Sequence, residues 1–356
     1  MKGLIIVDGA GGYVGEHVVK RLAEAGYRVR AVDLPAINLE NLAGKGVETA
    51  SFDLTRPETL APVLSGATAV VHCAAAFDLS LSYEVLAKVN VNGTRNLINA
   101  CKESNIRRFI HISTGGVYGS TSTWPVDETY PTKPIDAYGK SKLDAEKEVL
   151  IAGSDIDATI FRPTVVYGPG GKYIAGAFYS FACILSERKI PLPRIKRGPM
   201  FNWVHVTDIV KAVEFALGDD RTIGNVYNLA EKEMLEAGDF FEVLKENFRI
   251  KTKGRVTIPL ALASAAGKLG WHMPVAISAK PISKIMSMEW NKIVARHNLV
   301  PDLQPAFPRD FYCYFIGHHA YTSKALCDLG FVHEHPNISA SLPGVLQWYR
   351  DKKWIP

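Results

Sequence analysis

Glycines at 9, 12 and 15 stand between an apolar run, Leu4 to Val7, and a helix-patterned stretch, Glu16 to Ala25. That order constrains the fold more than any other feature of the chain. The apolar run reads as a buried parallel strand. In such a strand–loop–helix unit, Gly9 permits the tight turn. Gly12 lets the backbone approach a pyrophosphate, and Gly15 lets the helix pack close to the strand. The helix N-terminus offers unpaired N–H groups and the positive end of its dipole to phosphates. A glycine triplet alone is a weak signal. Its place after a strand and before a helix gives it weight and points to a dinucleotide site.

Tyr27 to Asp33 reads as the second strand, with Asp33 at its end. That is roughly 20 residues past the loop, where a carboxylate binds both ribose hydroxyls of an adenosine. It would repel a 2′-phosphate, and no arginine follows it at once, so the pattern favours NAD over NADP. The plainer reading of Asp33 is a turn residue before Pro35.

At 356 residues the chain has room for one large and one small domain. Hydrophobic residues make up 47% and charged residues 22%, which marks a well-cored globular protein rather than a disordered one. A net charge of +5 is too mild to signal nucleic acid. The cations cluster once, at Arg188, Lys189, Arg194, Lys196 and Arg197. A solvated loop is the plain reading, and contact with a substrate phosphate or an anionic membrane surface are the sharper ones. The five cysteines (Cys73, Cys101, Cys183, Cys313, Cys327) are scattered without metal-ligand spacing. They predict a reducing compartment, no disulfide framework and no metal. A strand this near the first residue leaves no space for a signal peptide, and no apolar run reaches spanning length. The expectation is a cytoplasmic protein, with peripheral membrane contact left open.

Strand and helix patterns alternate through the first half. Val47 to Phe52, Ala67 to Cys73, Phe109 to Ser113 and Ala158 to Phe161 read as strands. Ser82 to Cys101 and Ala137 to Ile151 read as long helices. Such alternation predicts a doubly wound α/β fold, a parallel sheet with helices on both faces. After Arg162-Pro163 the pattern loosens. A strand and helix return at Asn202 to Leu217 and a strand at Asn225 to Leu229. Residues 1–165, with about 202–229, are assigned to the dinucleotide-binding domain. Residues 166–201 and 230–356 are assigned to a smaller, discontinuous substrate domain over the C-terminal edge of the sheet, so the substrate is expected between the two. Ile258 to Ala266 is apolar but too short to span a bilayer. It reads first as packing within the small domain, and otherwise as an apolar lid or a membrane-dipping segment.

Tyr138 and Lys142 lie four residues apart on a predicted helix, hence on one face. A nearby ammonium is expected to lower the phenol's pKa, so that Tyr138 exchanges a proton with a substrate hydroxyl or carbonyl. The spacing alone is cheap, because among 14 tyrosines about one such pair arises by chance. Tyr349 and Lys353 repeat it, and they read instead as an exposed helix end. Upstream, Ser113 and Thr114 close a strand at the ligand edge, where a hydroxyl can hold the substrate oxygen.

These residues resemble the extended short-chain dehydrogenase/reductases over nearly the whole chain. The resemblance rests on Gly9 to Gly15, Asp53-Leu54-Thr55, Val71 to Ala75, Asn90 to Thr94, Ile112 to Gly119, Tyr138 to Lys142, Arg162 to Gly170 and Val204 to Asp208. Each is weak singly, and their order and spacing are specific together. The resemblance implies that Asp53 and Leu54 contact the adenine. It places Tyr13, Val14, Cys73, Ala74, Ala75, Ile112 and Pro163 against the cofactor, with Asn90 supporting that region. Lys142 would also bind the nicotinamide ribose. The hydroxyl four residues before Tyr118 is the catalytic one, which selects Thr114. A homodimer through the two long helices is a further implication.

Departures narrow the branch. Gly115 and Gly116 stand where the family's dehydratases carry Asp-Glu, so an elimination lacks its acid and base. Phe201-Asn202-Trp203 stands where many epimerases carry a diphosphate-binding arginine. The segment from Gly317 to Phe331, and the apolar stretch from Ile258 before it, look like the 3β-hydroxysteroid and sterol-4-carboxylate dehydrogenase branch. The first reading is therefore an NAD-dependent dehydrogenase acting on a secondary alcohol of an apolar, steroid-like substrate. A nucleotide-sugar epimerase with tightly held NAD is the alternative. A dinucleotide sensor without chemistry is disfavoured by the retained Tyr138 and Lys142. The substrate cleft is expected to be apolar, lined by Tyr167–Tyr179, the Asn202 strand and Ile258–Trp271. Its aromatic surface would come from Tyr173, Phe178, Tyr179, Phe181, Trp203 and Trp271.

Overall fold

The computed structural model describes residues 3–78, 81–257, 260–273, 280–303, 305 and 317–356, and of residues 260, 263, 264, 271 and 272 the backbone alone. Along the chain run β1 (Leu4–Asp8), α1 (Tyr13–Glu24), β2 (Arg28–Asp33), β3 (Val47–Ser51), α2 (Leu60–Leu64), β4 (Ala69–His72) and α3 (Tyr83–Ala87). Then come α4 (Thr94–Glu103), β5 (Arg108–Ile112), α5 (Ala137–Ile151), β6 (Asp157–Pro163), β7 (Val165–Tyr167) and α6 (Ile174–Glu187). β8 (Leu192–Lys196), β9 (Met200–Phe201), β10 (Trp203–His205), α7 (Val206–Gly218), β11 (Asn225–Leu229) and β12 (Leu235–Glu236) follow. The chain continues through α8 (Ala237–Phe248), β13 (Thr252–Thr257), α9 (Leu260–His272), α10 (Lys280–His297), α11 (Lys324–Asp328) and α12 (Ile338–Asp351).

Seven strands form one sheet in the order β11-β6-β5-β4-β1-β2-β3, every neighbouring pair parallel. The chain winds one way from β1 to β3 and the other way from β4 to β11. The reversal between β1 and β4 opens a crevice at their C-terminal ends, the place where such sheets bind ligands. Side chains alternate across the sheet. Ile5, Val7 and Ala31 pack under Val18, Val19 and Leu22 of α1 and Ile209 and Val213 of α7. Ile6, Val32 and Phe109 face Leu97 and Ile98 of α4 and Val149 of α5. This is the doubly wound Rossmann-type fold that the alternation predicts.

A separate core joins Tyr179 and Leu185 of α6, Phe240 and Leu244 of α8, Trp290 and Ile293 of α10, and Leu342 and Tyr349 of α12. Leu303 just after α10 stays with it, whereas Leu326 of α11 and Phe331 pack back into the core under the main sheet.

Three local readings need correction. Ser82 to Cys101 is not one regular helix, because Lys88–Gly93 forms a wide π-type turn between α3 and α4. There a Cβ on Gly93 would lie 2.8 Å from Leu54 Cβ, so the two segments approach closely. The Arg188–Arg197 cluster is not a loop, because β8 within it pairs with β13 in a two-stranded ribbon. Nor do the described side chains of Ile258 to Ala266 pack inward as first read: Ala261, Leu262, Ala265 and Ala266 are exposed, Leu262 at 61%. Ile258, Pro259 and Cys313 lie outside the described residues.

Candidate active site

The loop after β1 is built for close approach. Gly9 has φ +63°, and a Cβ there would meet the Ala74 backbone at 2.7 Å. A Cβ on Gly15 would sit 2.1 Å from the Gly9 carbonyl oxygen, so only glycine lets α1 start so near the strand. Gly12 precedes the helix without a side-chain cap, which leaves the first N–H groups of α1 at the cavity. Asp33 at the end of β2 accepts the Gly11 amide at 2.9 Å and the Leu34 amide at 2.8 Å. Its carboxylate is thus fixed beside the glycine turn. Buried Asp8 holds the facing loop, accepting the Cys73 and Ala74 amides at 2.7 and 2.8 Å and pairing with His72 at 2.6 Å. This cradle, with amide donors at a helix end and a carboxylate at the second strand, fits a dinucleotide.

A cavity of about 380 Å³ runs from this loop along the C-terminal ends of β1, β4, β5 and β6. Gly9, Gly12, Tyr13, Val14, Gly15, Cys73, Ala75, Ile112, Thr114, Tyr138, Lys142 and Pro163 line it. Five other expected cofactor residues do not. Asp33, Asp53, Leu54 and Ala74 lie outside its lining. Asn90 is buried and spends its amide on Ala76 and on Ser141 Oγ. It ties the loop after β4 to α5 and supports the site from outside the cavity.

Local order explains how the three chemical side chains meet. Asp136 caps α5, accepting the Gly139 amide at 2.6 Å. A Cβ on Gly139 would lie 2.8 Å from the Gly116 carbonyl oxygen, so the start of α5 sits on the turn that Thr114 opens. The Ser113 hydroxyl is committed to Glu146, which is itself held by Arg162 at 2.6 Å. Thr114 Oγ1 accepts the Gly116 amide at 3.1 Å and keeps its own proton for another acceptor. Tyr138 and Lys142 follow on α5, one turn apart, both facing the cavity.

The electrostatics differ from expectation at Tyr138. Burial, and then the Asp136 carboxylate, push its phenol above the ordinary tyrosine value. The expected lowering by Lys142 does not show, and the cost of removing a phenolate from water sets the direction. Burial brings Lys142 down to about 8, against the opposing pull of Glu146, Asp8 and Cys73.

Beyond Tyr138 the cavity wall turns aromatic. Phe77 meets the Tyr138 ring edge-on at 4.9 Å and Tyr173 at 5.2 Å. Phe178, Phe201, Trp203 and Phe240 interlock behind them, Trp203 stacking on Phe240 at 5.0 Å. Among the described lining residues there is no arginine, and no lysine besides Lys142. Tyr173, Phe178 and Trp203 were expected here. Tyr179 and Phe181 instead pack in the second core. Phe240 and Phe241 of α8 form a third wall, none of the described side chains of α9 lines the cavity, and the Trp271 side chain lies outside the described residues. Phe77 and α8 were not foreseen, and only a tertiary contact reveals them. Tyr349 is no exposed helix end: it is buried and donates to the Gly171 carbonyl at 2.5 Å.

A model of the NAD dependent epimerase/dehydratase family matches residues 5–230. The chain belongs to this family. NAD is accordingly its cofactor. A Vibrio cholerae UDP-glucose 4-epimerase is 34% identical over 201 residues, 53% of this chain and 58% of that enzyme. The Saccharomyces cerevisiae sterol-4-alpha-carboxylate 3-dehydrogenase ERG26, decarboxylating, is 26% identical over 314 residues, 80% of this chain and 82% of that enzyme. The crystal structure of gox2253 superposes with a TM-score of 0.73 at 25% identity, covering 100% of both chains. Several other solved structures with this fold are nucleotide-sugar epimerases or dehydratases, and the Bordetella bronchiseptica enzyme WbmG is solved with NAD and UDP.

Proposed function

We propose that the protein is an NAD-dependent oxidoreductase that interconverts a secondary alcohol and a ketone on an apolar, 3β-hydroxysteroid- or sterol-like substrate. NAD bound in the cradle supplies the hydride acceptor or donor. Tyr138 Oη exchanges the proton with the substrate oxygen. Thr114 Oγ1 donates a hydrogen bond to the same oxygen and stabilises its developing charge. Lys142, charged below about pH 8 and one turn from Tyr138 on α5, is assigned to the nicotinamide ribose and to balancing charge as the Tyr138 proton moves. With its pKa raised, Tyr138 holds its proton at neutral pH and is set to donate to a carbonyl oxygen.

The aromatic wall carries this reading. A nucleoside diphosphate is commonly gripped by cations on its phosphates, whereas the described wall offers ring faces and edges suited to a rigid apolar body. Arg194, Lys196 and Arg197, the substitutes the sequence suggested, do not line the cavity.

The second reading is a nucleotide-sugar epimerase. The comparisons lean towards it: the Vibrio relative and several of the solved structures are UDP-glucose 4-epimerases or a dTDP-glucose 4,6-dehydratase, and another is solved with UDP. Calorimetry of the NAD-loaded protein with UDP, dTDP and a sterol alcohol separates the two. The proposal expects the sterol to bind and the bare diphosphates to stay silent. Micromolar UDP binding with no response to the sterol would promote the epimerase.

A further inference from the structure

The ribbon of β8 and β13 carries charge of one sign. Residues 188–197 hold Arg188, Lys189, Arg194, Lys196 and Arg197, residues 249–257 hold Arg249, Lys251, Lys253 and Arg255, and neither stretch has an acid. All nine are exposed, and the register sets Arg255 beside Arg194. Like charges on facing strands repel. Among the described residues only Arg188 of the nine has an ion-pair partner, Glu289. The ribbon therefore presents uncompensated positive charge.

Apolar surface follows at once. Leu260 comes three residues after Thr257, within about 11 Å along the chain, and begins α9. Leu262, Ala265, Ala266 and Leu269 recur at the spacing of one helix face, and all four are exposed. Lys268 and His272 are the helix's only ionisable residues. On α10, Ile282, Ile285 and Met288 are exposed at 41%, 63% and 54%, with Lys280 and Lys284 beside them. Its Trp290 and Ile293 are buried in the second core.

We infer that the β8–β13 ribbon and the exposed face of α9 dock together on an anionic lipid surface. A cation ribbon alone suits any polyanion, and an apolar stripe alone suits a protein partner. Cations that run directly into an exposed apolar helix suit headgroup phosphates above an acyl boundary. Among the described residues no helix is long and apolar enough to cross a membrane, so the contact lies in the interface plane. The inference rests on surface residues and stands apart from the substrate reading.

Sedimentation of the full chain with vesicles tests it, using phosphatidylcholine alone or with about one-third phosphatidylserine. The protein should bind only the anionic vesicles and be released at about 0.5 M salt. Arg194→Glu with Arg255→Glu should weaken binding at least about tenfold. Leu262→Ser with Leu269→Ser, which leaves charge unchanged, should weaken it about fivefold or more. All four positions are exposed, and thermal melts verify folding. Absence of binding to the anionic vesicles would overturn the proposal. So would binding indifferent to the serine pair, which marks a site for soluble polyanions. A serine pair that splits a dimer in ultracentrifugation and leaves vesicle binding unchanged would assign the stripe to a second copy.

Discussion

Ser113 and Thr114 are adjacent hydroxyls with different fates. Glu146 claims the Ser113 hydroxyl, while Thr114 keeps its proton and lines the cavity. Thr114→Ala is therefore expected to lower kcat by about tenfold to a hundredfold with little change in melting temperature. Ser113→Ala should do the reverse, leaving kcat near wild type and lowering stability, because Glu146 loses a buried donor. Steady-state kinetics beside thermal melts separate the two. Lys142 carries a pH prediction. Burial lowers its pKa to about 8, so it is charged below that value and neutral above it. For ketone reduction Tyr138 stays protonated across this range, so kcat/KM of the free enzyme should fall as pH rises through about 8. A profile flat to about pH 10 would remove Lys142 from the proton chemistry.

At the scale of elements, what the sequence reveals is local. Strand–loop–helix order, Asp33 at a strand end and the i, i+4 spacing of Tyr138 and Lys142 are properties of short segments, and the structure places each where expected. The misread parts depend on distant partners. Phe77 becomes a cavity wall only because Tyr138 and Tyr173 reach it from other elements. Basic β8 becomes a strand only through its pairing with β13. The direction of the Tyr138 shift depends on burial, which spacing does not encode. Gly15→Ala tests the local part: its Cβ would push α1 off the Gly9 carbonyl, and NAD affinity by calorimetry should fall at least about tenfold. The join of the C-terminal tail to α7 has its own pH signature. Burial alone would lower His333, yet Asp208 and Cys327 outweigh it and hold its pKa at about 9. A raised histidine pKa contributes stability that is complete below about 6.5 and lost as pH rises through about 9. Asp208→Asn should therefore cost on the order of 2 kcal/mol near pH 6 and less near pH 9.5. Asp208 also accepts the Glu334 and His335 amides, and that part of the loss is independent of pH. Melts of both proteins across this range check the convergence.

For the whole molecule, the Rossmann-type sheet supplies a cofactor cradle and the second core supplies an aromatic wall, with Thr114, Tyr138 and Lys142 between them. The family accommodates both oxidoreductases and epimerases, so the fold does not choose between them. The choice turns on whether hydride leaves with the cofactor or returns to the substrate. Net NADH formation measures this directly. With NAD in excess, a 3β-hydroxysteroid should yield stoichiometric NADH and UDP-glucose should yield none. Tyr138→Phe should retain less than a few per cent of the steroid rate while binding NAD within about twofold of wild type. Interconversion of UDP-glucose and UDP-galactose without net NADH, and no NADH from the steroid, would contradict the account.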